Sequence, residues 1–293
     1  AWRTHGRSGS YPCAMTSLAG LAMLAGGHTP IEGRYAYNVR RAVDYVLNCA
    51  SPNGLIARTD EEMRPMYGHG FGMLFLAQAH GMERDSSKQN RIRAVLERAV
   101  RLTGQSQSKA GGWIYTPNAT SDEGSVTVTQ IQGLRAIRDV GIDVPKNIID
   151  SACEYIQKSA NPDGGIRYRI AHTGGSRPAI TAAAVATMYS ASQYEHPVAL
   201  KALEFVKERV STSKTGHLGG GHRYYAMLYT AQAMYLSSEE NWHMYFPKVR
   251  ETVLRGQASD GVWRGKRVGV VYTTAVSLLV LQLPYGYLPA LQR

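Results

Sequence analysis

An internal repeat constrains this 293-residue chain more than any other feature. Gln107 to Trp113 and Gln257 to Trp263 both spell Q-x3-G-x-W, and their tryptophans stand 150 residues apart. That interval holds three units of about fifty residues, a period that marks stacked supersecondary units rather than an ordinary mixed fold. Degenerate copies lie at Asn53 to Ile56, Asp163 to Ile166 and Gly216 to Leu218, and Trp2 reads as the tail of another.

Each glycine loop is followed by a segment that is apolar nearly all round, such as Ala14 to Ala25. A helix of that kind is stable only when covered on most sides. Similar inner-helix segments run over 72–79, 128–140, 180–191, 226–236 and 272–283. After each of the first five comes an amphipathic segment. In the first, Val39, Ala42, Val43 and Val46 share one helical face while Arg40, Arg41 and Asp44 point elsewhere. Gly26, Gly27 and Gly141 suit inner-helix ends, and Pro145 and Pro197 suit outer-helix starts. The pattern predicts an all-α chain of about six inner and five outer helices, arranged as a closed double ring (an α/α toroid) rather than an open solenoid. With no linker-like stretch, it reads as one domain with units near 1–57, 58–116, 117–169, 170–222, 223–264 and 265–293.

Composition narrows the function. Lys and Arg exceed Asp and Glu by 33 to 22, a net charge of +11 that favours anionic partners. The basic residues form no run with interleaved aromatics and no zinc-finger spacing, which argues against nucleic acid. The longest apolar stretch, 268–283, is broken by Tyr, Thr, Ser and Gln and is too short to span a membrane. Contact with a membrane surface or a partner protein stays open. Cys13, Cys49 and Cys153 are far apart and form no ligand motif, so neither a disulfide framework nor a metal site is expected. Cys13 starts an inner helix, where the helix dipole lowers a thiol pKa and burial raises it; burial is the stronger expectation. The chain opens on Ala1 rather than methionine, which reads as a trimmed terminus.

The two Q-x3-G-x-W copies resemble the QW repeats of squalene and oxidosqualene cyclases, in which Gln and Trp tie a helix end to the next loop. Pro65 to Phe71, Asn161 to Gly165 and Leu281 to Pro289 make the whole chain similar to bacterial prenyltransferase and squalene-oxidase repeat proteins of planctomycete type. The resemblance implies the toroid shared by terpenoid cyclases and protein prenyltransferase β-subunits. It also implies structural roles for Gln107, Trp113, Gln257 and Trp263, and a bacterial protein, whether cytoplasmic, periplasmic or exported.

The signatures of that superfamily's chemistry are missing from this sequence. There is no DxDD segment, no adjacent Asp pair for DDxxD, and no Asp-x-Cys to hold zinc with a distant His, although His222 has the position of that His. Neither metal nor cofactor is therefore expected, and whether the chain is an enzyme stays open.

In such a ring the inner-helix N-termini surround one mouth, where helix dipoles attract anions. The junctions there carry Arg3, His5, Arg7 and Tyr11; Arg64, Tyr67 and His69; Thr127 and Thr129; Tyr168, His172 and Arg177; His217 and His222 to Tyr225; and Arg264, Lys266, Arg267 and Tyr272. Arginines hold phosphate or carboxylate, while His or Tyr can move a proton. His172, His222, Tyr224 and Tyr225 are the catalytic candidates. Arg177, Arg223, Tyr67, His69, Tyr11 and Tyr272 are the ligand-binding candidates, although His69, between two glycines, also suits close packing. The sequence thus supports a toroid with a basic, Tyr-rich cavity for an isoprenoid or other anionic ligand. A non-catalytic binding module and an acidic-polysaccharide lyase are the competing readings.

Overall fold

In the computed structural model, residues 1–4, 9–171, 174–265 and 267–292 are described. They form eleven α-helices and two short terminal 3-10 turns. The inner helices are α1 (Pro12–Ala25), α3 (Pro65–Met82), α5 (Gly124–Asp139), α7 (Pro178–Ser190), α9 (Arg223–Ser237) and α11 (Val270–Gln282). Each packs on the next, and α11 returns to α1, which closes the ring and excludes the solenoid. The outer helices α2 (Ala36–Asn48), α4 (Ser86–Gln105), α6 (Lys146–Lys158), α8 (Pro197–Thr212) and α10 (Glu239–Arg255) run back along the outside.

Burial separates the two layers as the sequence pattern requires. Twelve of the fourteen residues of α1 are buried. In α2 only Val39, Ala42, Val43, Val46 and Leu47 are, leaving its charged face in water. The inner helices begin earlier than their apolar segments suggest: α3 starts at Pro65 rather than near 72, and α5 at Gly124 rather than 128. The first turns hold polar side chains such as His69, Ser125 and Thr127, which interrupt the apolar pattern yet are buried.

One contact recurs along the chain. A loop backbone N–H that has left its helix donates to a side chain in an early turn of the following inner helix. Trp2 N donates to Thr16 Oγ1 (3.0 Å), Ile56 N to His69 Nδ1 (3.1 Å) and Trp113 N to Thr127 Oγ1 (3.1 Å). Ile166 N donates to Thr181 Oγ1 (2.9 Å) and Trp263 N to Thr274 Oγ1 (3.1 Å). Around it, Gln107 Nε2 donates to Gly111 O (2.8 Å) and Ile148 O (2.9 Å), and Gln257 Nε2 to Gly261 O (2.9 Å). The indoles reach back to the preceding outer helix: Trp113 Nε1 donates to Thr103 O (2.8 Å) and Trp263 Nε1 to Val253 O (2.6 Å). Gly111 has φ +97°, and a Cβ there would stand 2.0 Å from Ser151 O on α6, so only glycine fits the turn.

The opposite end of the ring is closed by the chain's own tail. Pro289–Leu291 pack on α3 and α5, Arg135 donates to Gln292 O (3.0 Å), and Tyr235 Oη donates to Gln292 Oε1 (3.0 Å). Gln132 of α5 and Gln232 of α9 hydrogen-bond to each other inside the ring, and both are buried. Two cavities of about 10 Å³ each, room for one water, lie among the described residues. One lies under the tail and the other between α9 and α10.

Trp113 is fully buried and Trp263 is 3% exposed. Trp113→Ala and Trp263→Ala should each lower unfolding stability by about 3–5 kcal/mol, read as a fall in the urea midpoint. Midpoints within error of the parent protein would show that the loops do not depend on the indoles.

Candidate functional site

Because the six inner helices run parallel, all their N-termini lie at the end opposite the tail. The residues just before them are Tyr11, Arg64, Glu123, Arg177, His222 and Gly269. Tyr11 takes a left-handed backbone conformation (φ 43°, ψ 50°), unusual for a bulky residue and a local strain at this mouth.

Three arginines from separate junctions converge there. His222 is held below its ordinary pKa by partial burial and then by the positive charges of Arg267, Arg177 and Arg64, which places all three within electrostatic reach of one imidazole. Arg64 lies 4.2 Å from the ring centre of Tyr115. Among the described residues, no carboxylate pairs with Arg64, Arg177 or Arg267. With the helix N-termini beneath them, these cations form a surface prepared for an anion.

Below the arginines the surface becomes aromatic. Tyr11, Tyr67, Tyr115, Tyr168, Tyr225 and Tyr272 are all partly exposed. Tyr225 and Tyr229 of α9 pack edge to face at 4.7 Å, and both hydroxyls are buried without a hydrogen-bond partner among the described residues. Burial pushes the Tyr67, Tyr225 and Tyr272 phenols above their usual range, so all stay protonated.

Among these rings sits a buried carboxyl. Glu123 caps α5, accepting from Ser125 N (2.9 Å), Val126 N (2.7 Å) and Ser125 Oγ (2.6 Å). Burial outweighs those bonds and raises its pKa. Ser125 Oγ meets Tyr67 Oη at 2.5 Å, while Tyr168 approaches Glu123 from the other side and bonds to Tyr115. The result is a continuous hydrogen-bonded chain, Tyr67–Ser125–Glu123–Tyr168–Tyr115, able to hold a proton and pass it to a group lying over Tyr67. Glu123 is one of the few acids near the junctions in the sequence, but it belongs to neither a DxDD nor a DDxxD segment. Its signal was an acid followed two residues later by Ser at the start of an inner helix.

The remaining candidates fall elsewhere. Arg223 turns to the outer side of α9, lining the small space between α9 and α10 with His217 and Tyr245, so it does not join His222. Tyr224 leans toward the loop before α11, beside Gly265. His69 is fully buried and away from the mouth. Its Nδ1 accepts from Ile56, its Nε2 bonds Thr103 Oγ1 (3.0 Å), and burial lowers its pKa to about 3. It occupies the place that Thr16, Thr127, Thr181 and Thr274 take in the other units. His172, and with it His5, Arg7 and Lys266, lies outside the described residues. Thr127 and Thr129 are buried. The Cys13 thiol is raised well above its usual pKa by a hydrogen bond with Cys49 and by burial, which removes it as a nucleophile. Among the described residues, no group of three or more His, Cys, Asp or Glu is placed to hold a metal ion, and no helix is long and apolar enough to cross a membrane.

No protein-family model and no curated protein matches the chain. Its fold is shared with solved structures at low identity. Type II terpene cyclase MstE from Scytonema superposes with a TM-score of 0.63 at 13% identity, over 98% of this chain and 92% of that one. Cellobiose 2-epimerase from Bacillus thermoamylovorans gives 0.62 at 9% identity, over 95% and 89%. PssZ from Listeria monocytogenes gives 0.59 at 8%, over 96% and 88%. The α/α-toroid architecture is thereby established.

Beside the mouth, Glu62 closes the start of α1, its Oε1 accepting from Cys13 N (2.7 Å) and Ala14 N (3.2 Å) while Oε2 is buried without a partner. Burial pushes its pKa from 4.5 to about 7. The folded state therefore holds a proton that the unfolded chain has released, and this contribution to stability is complete below pH 4.5 and lost as pH rises through about 7. Glu62→Gln should flatten that part of the stability–pH curve in denaturant titrations; an unchanged slope would assign the effect to another group.

Proposed function

We propose that the mouth of this terpene-cyclase-like toroid binds an anionic, partly apolar ligand, and that isoprenoid diphosphates are the class it fits best. The observation that carries this reading is the convergence of Arg64, Arg177 and Arg267 on His222, without carboxylate partners among the described residues, directly over part-exposed tyrosines. An anionic head satisfies the arginines by charge-assisted hydrogen bonds, and an isoprenoid tail covers the aromatic rings. Support from the neighbours is limited to fold and setting: one MstE structure holds geranylgeranyl dihydroxybenzoate, named there as substrate, at 14% identity and a TM-score of 0.60. The ligand is taken to lie across the mouth, where the arginines and the tyrosines meet.

A specific observation favours each of two versions. The Gln132–Gln232 bond inside the ring and the tail over its far end suit a non-catalytic binding module, whereas the hydrogen-bonded Glu123 chain ending at Tyr67, its carboxyl pKa raised by burial, suits proton transfer to the bound ligand. The lyase reading falls behind both. Trp242, the one tryptophan left to serve as a sugar platform, is 7% exposed and stacked on Phe246 at 4.5 Å.

The test is a thermal-shift titration with farnesyl diphosphate, longer polyprenyl diphosphates and inorganic pyrophosphate, since a ligand of the native state raises the melting temperature. Arg64→Ala and Arg177→Ala should each weaken binding about 10- to 100-fold, the worth of a charge-assisted hydrogen bond. Binding should strengthen as pH falls from about 7.5 to 6, because an anion reverses the field that keeps His222 neutral, and His222→Asn should abolish that slope. Glu123→Gln should keep binding and remove any turnover of the ligand. No shift with any diphosphate at saturation, or shifts indifferent to both arginines, would remove the proposal.

A further inference from the structure

At the other end of the ring lies a second, unassigned surface, built by the α1–α2 connection, the start of α2 and the C-terminal tail. Four tyrosines stand out of it: Tyr35 is 42% exposed, Tyr37 61%, Tyr285 61% and Tyr287 53%, with Ile31 at 36%. Three of the tyrosines are linked through short contacts, and Tyr37 stands in the first turn of α2. Tyr285 and Tyr287 pack at 6.2 Å, Tyr287 lies against Gly27, and the neighbouring His28 meets Tyr35 edge-on at 4.8 Å. Arginines stand over the rings, Arg34 at 5.7 Å from Tyr35 and Arg41 at 5.7 Å from Tyr37. The local acid, Glu32, is matched by Arg84 at 3.6 Å, a solvent-exposed pair that leaves the patch positive.

We propose that this Tyr–Arg face docks the protein on an anionic phospholipid surface. Its members project from a connection, a helix start and a chain tail rather than lining one of the two cavities described, apart from the part of Tyr287 that borders the space under the tail. Tyrosine carries an apolar ring and a polar hydroxyl, and such rings settle at the boundary between headgroups and hydrocarbon. Guanidinium groups supply several donors to lipid phosphates, and each cation near an anionic leaflet adds to the attraction. A second copy of the chain is disfavoured, because a two-fold contact would set Arg34 and Arg41 against their own copies. The inference does not depend on the mouth site.

Co-sedimentation of the full chain with phosphatidylcholine vesicles, and with vesicles that also contain phosphatidylglycerol, tests it. The parent protein should bind the phosphatidylglycerol vesicles at least tenfold more strongly, and less as salt rises. Tyr37→Ser with Tyr285→Ser, and separately Arg34→Glu with Arg41→Glu, should each cut that binding about tenfold or more while leaving the melting temperature unchanged. Arg64→Ala with Arg177→Ala should leave it intact, which separates this surface from the mouth. Soluble inorganic phosphate at millimolar concentration should compete poorly. Three outcomes would each overturn the proposal: equal binding to both vesicle types, loss of binding only in the mouth variant, or a parent dimer that the Tyr37/Tyr285 variant converts to monomer without any vesicle binding.

Discussion

The architecture depends on the hydrogen bond that five of the six junctions make from a loop amide to the following inner helix. A loop amide leaving an outer helix has lost its helical acceptor, and a buried amide without a partner costs about as much as a lost hydrogen bond. Here a side chain from an early turn of the following inner helix takes it, a threonine in four units and His69 in one. That bond seats these loops over the starts of the helices they introduce. The indoles of Trp113 and Trp263 bind their loops back to the preceding outer helix, so these two junctions are held from both sides.

Parallel inner helices concentrate partial positive charge at one end, and the residues there add to it instead of cancelling it. Arg64, Arg177 and Arg267 lack carboxylate partners among the described residues, while the acid nearest the centre, Glu123, is buried and prefers to be neutral. The mouth is thus unfavourable to itself when empty, a condition tolerated by folded proteins mainly at sites that meet a ligand. Toward the far end, Gln132 and Gln232 bond to each other inside the ring and the tail packs over α3 and α5.

The ring was legible because its signals are local and repeated: all-round apolar segments, amphipathic segments and glycine turns that recur in phase. Helix starts were less legible, since residues such as Ser125 and Thr127 look polar in sequence and are buried only because they serve loop amides and caps. Site residues divided on direction. Arg177 and His222 are brought together by two junctions 45 residues apart, whereas Arg223, adjacent to His222 in sequence, turns outward. His69 resembled a ligand-binding residue because nothing in a single sequence shows that both its nitrogens are already used. Glu123 carried no recognised motif, and its importance comes from Tyr67 and Tyr115 of the preceding unit and Tyr168 of the loop before α7.

The seam between α1 and α11 joins residues that lie at opposite ends of the chain. The other adjacent inner-helix pairs join consecutive units of the sequence, so those units can assemble progressively as the polypeptide emerges. The flank of α1 that α11 covers must wait, apolar and unprotected, until nearly all 293 residues have been made. Such a late, non-local contact slows folding and exposes a sticky edge during synthesis. The last inner helix is therefore the step that turns a growing arc into a soluble particle, and truncation before Val270 would leave an edge able to recruit the corresponding helix of another molecule.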